Sequence, residues 1–365
     1  MPCKRPEVVV RTSHVKEVLV QRILERGEIE SLDHTTIPRL RLPPADGVFG
    51  ARAARLRKLA AGEVLGTPVS PELSGYLDLM AELVDAQDAV FESLTDADAE
   101  LPDQNALDRA RQYAMPPLPV TRERPAIWPT IFDRLLTFLV PTAAERPQLV
   151  PVLAALHALD KNALNALADD VLAQRTETLD AAQAPFVAAA LQVLWTHRAS
   201  KLLLKDVPVL EAATLCPVCG SHPVASVVRI GGQSQGYRYL HCELCASEWH
   251  MVRVKCSYCE KNANIAYQGV DNRSDEEIAA SDSDANSAAK PLSNKLNKAN
   301  DPQKVIRAET CDDCHNYRKI VNQEHDYEVE PLADDLASLT LDVLVTEAGY
   351  TRASMNPLLW FSAAE

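Results

Sequence analysis

The chain reads as an α+β protein: an all-α helical domain over residues 1–212, then two small metal-binding modules built on short strands, then a C-terminal helix and tail over 331–365. Three observations predict this. Up to about residue 205 the apolar side chains recur at helical spacing, and after Leu215 the period becomes twofold. Between Cys216 and Cys314, eight of the nine cysteines fall in four Cys-x-x-Cys pairs.

Those pairs are Cys216/Cys219, Cys242/Cys245, Cys256/Cys259 and Cys311/Cys314. Thiolates at the two ends of such a spacer can face one cation from a single tight turn, so two turns supply a tetrahedral four-sulfur shell. Only 22 residues separate Cys219 from Cys242, whereas 51 separate Cys259 from Cys311. The local solution is two consecutive ribbons, one over 213–260 using the first two pairs and one over 256–330 using the last two; interleaved pairing is the less local alternative. Cys216-Pro-Val-Cys-Gly220 is a rubredoxin or zinc-ribbon knuckle, with Pro217 fixing one φ and Gly220 free to take a positive one. Ala246, Glu260 and His315 stand where Gly220 does, so the other three turns are less plainly announced.

Disulfides would need an oxidising compartment, and Met1-Pro-Cys-Lys-Arg-Pro6 lacks the apolar core of a secretory signal. A thioredoxin-type pair would need a βαβ setting, which four motifs among short alternating segments do not offer. Reduced thiolates point to the cytoplasm. No apolar run approaches the roughly 18 residues of a membrane span. With 365 residues and 47% hydrophobic content the chain can build a sizeable core, and its net charge of −14 works against nonspecific binding to nucleic acid.

Val15, Val18, Leu19 and Ile23 predict a first helix behind Ser13, and a second starts near Phe49, carries Arg52, Arg55, Arg57 and Lys58, and stops at Gly62. Ser70-Pro71 opens a long helix whose apolar face includes Leu77, Met80, Leu83, Val84 and Phe91. Met115-Pro-Pro-Leu-Pro119 cannot continue a helix and connects two helical layers. A Trp128, Ile131, Phe132, Leu135 face follows, then an Ala/Leu pattern over 149–172 and a helix from Pro185 to Leu204. His157 and His197 lack a second ligand at helical spacing and read as surface or satisfied histidines.

Strands are expected over 224–230, 237–241, 249–255 and 264–270, in small antiparallel sheets, with Gly231-Gly232…Gly236 as a hairpin tip. Residues 271–304 are polar and read as an exposed or disordered insertion within the second ribbon. Leu332, Leu336, Leu339, Val343 and Leu344 predict one last helix up to Gly349, with Asp334 and Asp335 complementing its dipole.

The stretches Cys216-Pro-Val-Cys-Gly-Ser-His-Pro-Val-Ala-Ser226, Arg238-Tyr-Leu-His-Cys-Glu-Leu-Cys-Ala-Ser-Glu-Trp-His-Met-Val-Arg-Val-Lys-Cys-Ser-Tyr-Cys-Glu260, Ala308-Glu-Thr-Cys-Asp-Asp-Cys-His315 and Glu330-Pro-Leu-Ala-Asp-Asp335 resemble the FdhE family of formate dehydrogenase accessory proteins. Weaker echoes are Phe49-Gly-Ala-Arg-Ala-Ala-Arg55 and Gly75-Tyr-Leu77. The departure is the length of the 271–304 segment. The resemblance implies a cytoplasmic, chaperone-like maturation factor with no turnover of its own, carrying rubredoxin-type iron and contacting the formate dehydrogenase catalytic subunit.

Zinc in place of iron fits the same ligands, and a homo-oligomer is compatible with the sequence. Two other functions compete: a rubredoxin-like electron-transfer protein, and a zinc-ribbon nucleic-acid binder using Arg229, Arg238, Arg253, Lys255 and Lys261. Candidate partner-facing residues beside the knuckles are His241, Glu243, Trp249, His250, Tyr258, His315 and Tyr317, with Arg52 and Arg55 as an alternative face.

Overall fold

A computed structural model of the chain describes residues 37–64, 69–121, 123–175, 177, 179–270 and 304–359. The helix expected behind Ser13 and nearly all of the 271–304 segment lie outside the described residues.

After a two-residue strand β1 (Leu40–Arg41), helices occupy α1 (Val48–Ala60), α2 (Pro71–Glu92), α3 (Gln104–Gln112), α4 (Trp128–Phe138), α5 (Val140–Glu145), α6 (Val150–His157), α7 (Lys161–Leu172) and α8 (Ala184–Ser200). Their starts follow from the sequence. Ser70 accepts from Leu73 N at 3.2 Å with Pro71 in the first turn, and Asp160 accepts from both Asn162 N and Ala163 N. Helix α8 is apolar on nearly every side, from Phe186 through Trp195, and is accordingly buried on all of them, packed against α2, α4 and α7. Its polar residues are satisfied: His197 Nε2 lies 2.9 Å from Thr95 O, and Gln192 bonds Gln87. Among the described residues, no helix is long and apolar enough to cross a membrane.

The second half supplies β2 (Pro223–Val228), β3 (Arg238–Cys242), β4 (Glu248–His250), β5 (Ile265–Gln268), β6 (Ile306–Cys311) and β7 (Asn316–Asn322), then α9 (Pro331–Ala337), α10 (Leu339–Glu347) and β8 (Thr351–Arg352). The small separate antiparallel sheets expected from the sequence are instead one eight-stranded mixed sheet in the order β1-β4-β3-β2-β7-β6-β5. The junction is parallel, Ser226 to Val228 of β2 running beside Ile320 to Asn322 of β7, while β8 covers the start of the same β7 edge. Both junction strands are almost wholly buried, as a central position demands. The strand expected over 249–255 stops at His250, because the chain turns there into the third knuckle and leaves Val252 and Val254 exposed.

The single C-terminal helix expected up to Gly349 is two, broken at Ser338, whose φ of −113° and ψ of 37° leave the helical region. Lys319, buried on β7, sits at this break: its ammonium reaches Asp335 O at 2.8 Å and Ser338 O at 3.2 Å, adding a donor to two carbonyls at the helix ends. Asp335 pairs with Lys319 and Arg352; burial works to raise its carboxyl pKa, and these two cations outweigh it and hold it below the ordinary value.

Arg52 and Arg55, expected as an accessible face of α1, are both buried against the C-terminal segment. Arg52 pairs with Glu330 at 2.9 Å, and Arg55 pairs with Asp334 at 2.6 Å and Asp326 at 2.7 Å. Asp334 therefore combines a contact to the start of α9, accepting from Glu330 N at 2.7 Å, with a charge partner nearly 280 residues away in the chain. Removing one member strands a buried charge. Arg55→Ala is expected to cost about 3–5 kcal/mol, while Arg55→Leu with Asp334→Leu recovers most of it. Urea unfolding of wild type, single and double variants checks this; a double variant less stable than Arg55→Ala contradicts it.

Candidate metal centres

The four-residue turns share two backbone bonds, each recorded in three of the four. The first cysteine's carbonyl accepts from the residue four positions on: Gly220 N to Cys216 O at 2.9 Å, Glu260 N to Cys256 O at 3.1 Å, His315 N to Cys311 O at 2.9 Å. The amide of that cysteine donates to the carbonyl five positions on in the first three turns: Cys216 to Ser221, Cys242 to Ser247 and Cys256 to Lys261. The residue after the second cysteine must take a positive φ, and all four do: Gly220 at 81°, Ala246 at 54°, Glu260 at 61° and His315 at 52°. Glycine is thus used once and the left-handed conformation four times. At Gly220 a Cβ would also sit 3.4 Å from Pro116 Cγ.

The modules share a plan: a knuckle, two strands, a knuckle, a strand. Cys242 closes β3 and Cys311 closes β6, so the second and fourth knuckles are the tips of the β3–β4 and β6–β7 turns. Folding this way brings Cys216, Cys219, Cys242 and Cys245 together, and separately Cys256, Cys259, Cys311 and Cys314, with every sulfur within 4.8 Å of the others in its group. The pairing is consecutive rather than interleaved.

The groups fit a metal. Metal–sulfur bonds of about 2.3 Å in a tetrahedron put sulfurs about 3.8 Å apart. Cys216 to Cys245 is 3.6 Å, Cys219 to Cys242 3.4 Å, Cys256 to Cys314 3.9 Å and Cys259 to Cys311 3.8 Å. Amides of Leu244 and Cys245 point at Cys242 Sγ, and that of Tyr258 at Cys256 Sγ, as donors that stabilise thiolate charge. Burial raises the Cys219 and Cys242 thiols well above the ordinary value and pushes Cys256 up to about 12. Four thiolates crowded together need a cation to offset their charge, and each shell can hold one.

The surroundings of the two sites differ. All four sulfurs of the first are buried within the main core, and α8 reaches over them: Gln192 donates to Glu243 O at 2.7 Å and Thr196 to Leu244 O at 3.4 Å. The Pro-rich segment, expected as an ordered connection between two helical layers, also pairs with the first knuckle, Leu118 N to Val218 O at 2.9 Å and Val120 N to Cys219 O at 3.1 Å. Its alternation of Leu118 and Val120 between prolines is the signal that could have shown this. In the second site Cys259 and Cys314 are partly exposed.

Of the residues expected to face a partner, His241, Trp249 and Tyr317 are buried: His241 Nδ1 bonds Glu248 at 2.9 Å, Trp249 Nε1 donates to Ala213 O at 2.7 Å, and Tyr317 Oη donates to Asp342 at 2.7 Å. Glu243 is enclosed between Gln174 and the sheet, and burial raises its carboxyl to about 8 against the opposing charge of Arg318. His250 is half-buried against Tyr237 and Tyr239. Only Tyr258 and His315 of the set are exposed.

The basic face is likewise spoken for. Arg229 pairs with Glu248, Arg238 with Glu309, Lys255 with Glu260 and Lys261 with Asp313, and Arg253 donates to Gly236 O. Carboxylates offset the charge of Arg229, Arg238, Lys255 and Lys261, which lowers the local positive potential on which phosphate binding depends.

Because the first site sits in the shared core, Cys242→Ser is expected to release one metal ion per chain and to loosen α8 as well as the ribbon. Structural thiolate sites contribute on the order of 10–16 kcal/mol in small peptides. Elemental analysis with limited proteolysis over 184–260 checks it; unchanged metal content would contradict the ligand assignment.

Comparison with known proteins agrees with this architecture. Three FdhE family profiles match in chain order: N-terminal over residues 37–211, central over 215–253 and C-terminal over 289–359. The chain is 35% identical over 347 residues to an FdhE homolog of Cronobacter sakazakii, spanning 93% of this chain and 97% of that one. FdhE of Escherichia coli matches at the same identity and coverage. The crystal structure of FdhE from Pseudomonas aeruginosa superposes with a TM-score of 0.69 at 35% identity, covering 88% of this chain and 99% of that one. The chain belongs to the FdhE family of formate dehydrogenase accessory proteins.

Proposed function

We propose that this protein is a maturation factor, chaperone-like and without turnover of its own, that binds the catalytic subunit of a formate dehydrogenase in the cytoplasm during assembly. The observation that carries the reading is the closure of both cysteine shells. Four thiolates complete a tetrahedral ion and leave no position for substrate or an activated water, so the ions would hold backbone in place rather than perform chemistry. Among the described residues no other cluster of three or more metal-ligating side chains occurs. The protein's action then belongs to the surface that the two ribbons and the helices around them hold rigid.

The eight cysteines Cys216, Cys219, Cys242, Cys245, Cys256, Cys259, Cys311 and Cys314 are the proposed ligands of two rubredoxin-type irons, with zinc the competing ion for the same shells. Iron would supply a one-electron couple. The partial exposure of Cys259 and Cys314 supports a second reading, electron exchange with a partner through that site alone.

Three measurements test these readings. Freshly purified protein is expected to carry two irons per chain and the red absorption of ferric thiolate; a colourless sample with two zincs contradicts iron. Tagged protein is expected to retain the formate dehydrogenase catalytic subunit, and a strain lacking this chain to lose formate dehydrogenase activity. Full activity in that strain would overturn the maturation role, and activity that tracks the reduction state of the iron would favour the second reading.

A further inference from the structure

A cavity of about 320 Å³ opens between one face of the sheet, near its β6–β5 edge, and the loop that runs through the third knuckle. Strand register puts Tyr267 and Arg307 on that face: Tyr267 pairs with Glu309, two residues from Arg307, and Arg307 pairs with Ile320. The facing wall carries Arg253, Asn262 and Asn264, which flank Cys256 and Cys259 in the chain. The volume sits at the small end of the roughly 300–1,000 Å³ typical of ligand sites. Among the described residues the lining holds two arginines and no carboxylate.

Both arginines are held by neutral groups, which fix their position without offsetting their charge. Arg307 Cζ lies 4.9 Å from the centre of the Tyr267 ring, and Arg253 Nη2 donates to Gly236 O at 2.6 Å. Tyr267 links the two, because its Oη also donates to Arg253 O at 3.3 Å. The carboxylates around the cavity are engaged elsewhere: Glu309 with Arg238, Glu260 with Lys255 and Asp313 with Lys261. The exposed Glu324 stands beside the turn that Arg253 meets, its Oε1 3.6 Å from where a Cβ on Gly236 would sit. Counted in full against the two arginines, Glu324 still leaves one positive charge over, in a chain of net charge −14.

A guanidinium lying flat on a ring keeps its in-plane N–H donors, and one held by a single carbonyl keeps most of its own. Two such groups suit an oxyanion with more oxygens than a carboxylate has. A phosphate monoester carries about −1.5 to −2 charge at pH 7 and three strong acceptor oxygens, enough for both forks. We propose that this cavity binds a small phosphate monoester, its phosphate between Arg253 and Arg307 and its organic part against Tyr267 and Ile320. Asn262 and Asn264 offer neutral donors and acceptors to the rest of the ligand. The site is separate from both metal shells and does not depend on the maturation reading.

The test uses the full chain with its metal content verified, and phenyl phosphate as the probe in isothermal titration. Wild type is expected to bind it saturably, one per chain. Arg253→Gln and Arg307→Gln are each expected to weaken binding about tenfold or more, about 1.4 kcal/mol. Arg307→Lys, which keeps the charge and gives up the fork, is expected to fall between these and wild type. Arg109→Gln, which alters an exposed arginine of α3 outside the lining, is expected to leave binding unchanged. Absence of saturable binding by wild type, or equal weakening in Arg109→Gln, overturns the proposal. Benzoate bound as tightly as phenyl phosphate overturns the choice of phosphate over carboxylate. Binding that emerges only when Asp275→Asn, Glu276→Gln and Glu277→Gln are combined assigns the site to the chain's own acidic stretch and overturns a free ligand. A single-stranded DNA dodecamer held far more tightly through the same two arginines assigns the phosphate to nucleic acid and overturns a small molecule.

Discussion

The parallel contact between β2 and β7 is the constraint on which the rest of the second half depends. Each ribbon alone is a three-stranded antiparallel unit with little apolar surface to bury. Joined at Ser226–Val228 and Ile320–Asn322, they become one sheet with two faces to cover. Two buried guanidiniums lock the junction. Arg238 of the first ribbon bonds Glu309 at 2.7 Å and the carbonyls of Val252 and Lys255, the residues leading into the third knuckle. Arg318 of the second bonds Ser257, inside that same knuckle, and Pro223, just past the first. Burial lowers the Arg318 pKa to about 10, with Arg238 nearby adding to the effect and Glu243 and Glu309 opposing it. Neither metal shell can therefore shift without moving residues that position the other.

The helical half is tied to this sheet at two places of different chemistry. Over the first metal site the bonds are neutral and directional: Gln192 and Thr196 of α8 to the second knuckle, Leu118 and Val120 to the first. Along α1 they are ionic, with Arg52, Arg55 and Lys58 facing Glu330, Asp334 and Glu328. Lys58 and Glu328 are substantially exposed and add little, whereas Arg55 and Asp334 are buried and fix the register of α9 against α1. Between these two ties lies a groove that reaches from Arg41 to Glu330. The knuckle that places Ala246 and the strand that places His241 both line this groove and close the first shell.

Much of this was legible along the chain. Ser70-Pro71 gave the start of α2 because a side-chain cap and a fixed φ are local effects. The consecutive cysteine grouping followed from spacing alone, since loop closure favours near pairs. The one-sheet architecture was not read, although Pro223–Val228 is apolar but for Ser226 and does not alternate, the pattern of a strand covered on both faces. The knuckle conformation at Ala246, Glu260 and His315 was also hidden, because no glycine announces a positive φ that sulfur-centred closure imposes.

By itself the sequence determined the positions of α1, α2, α4 and α8, the twofold period of the second half, the eight sulfurs and their family, all set by interactions a few residues apart or by a ligand chemistry that few other arrangements share. Tertiary structure decided which charges are free. Arg52, Arg55, Arg238 and Asp334 look alike on paper to any surface residue, and each is buried in a pair whose partner lies 71 to 279 positions away. It also decided that His241 turns inward to Glu248 while Tyr258 and His315 face outward. Burial of a charged or polar group depends on what long-range packing brings beside it, and no local pattern encodes that neighbour.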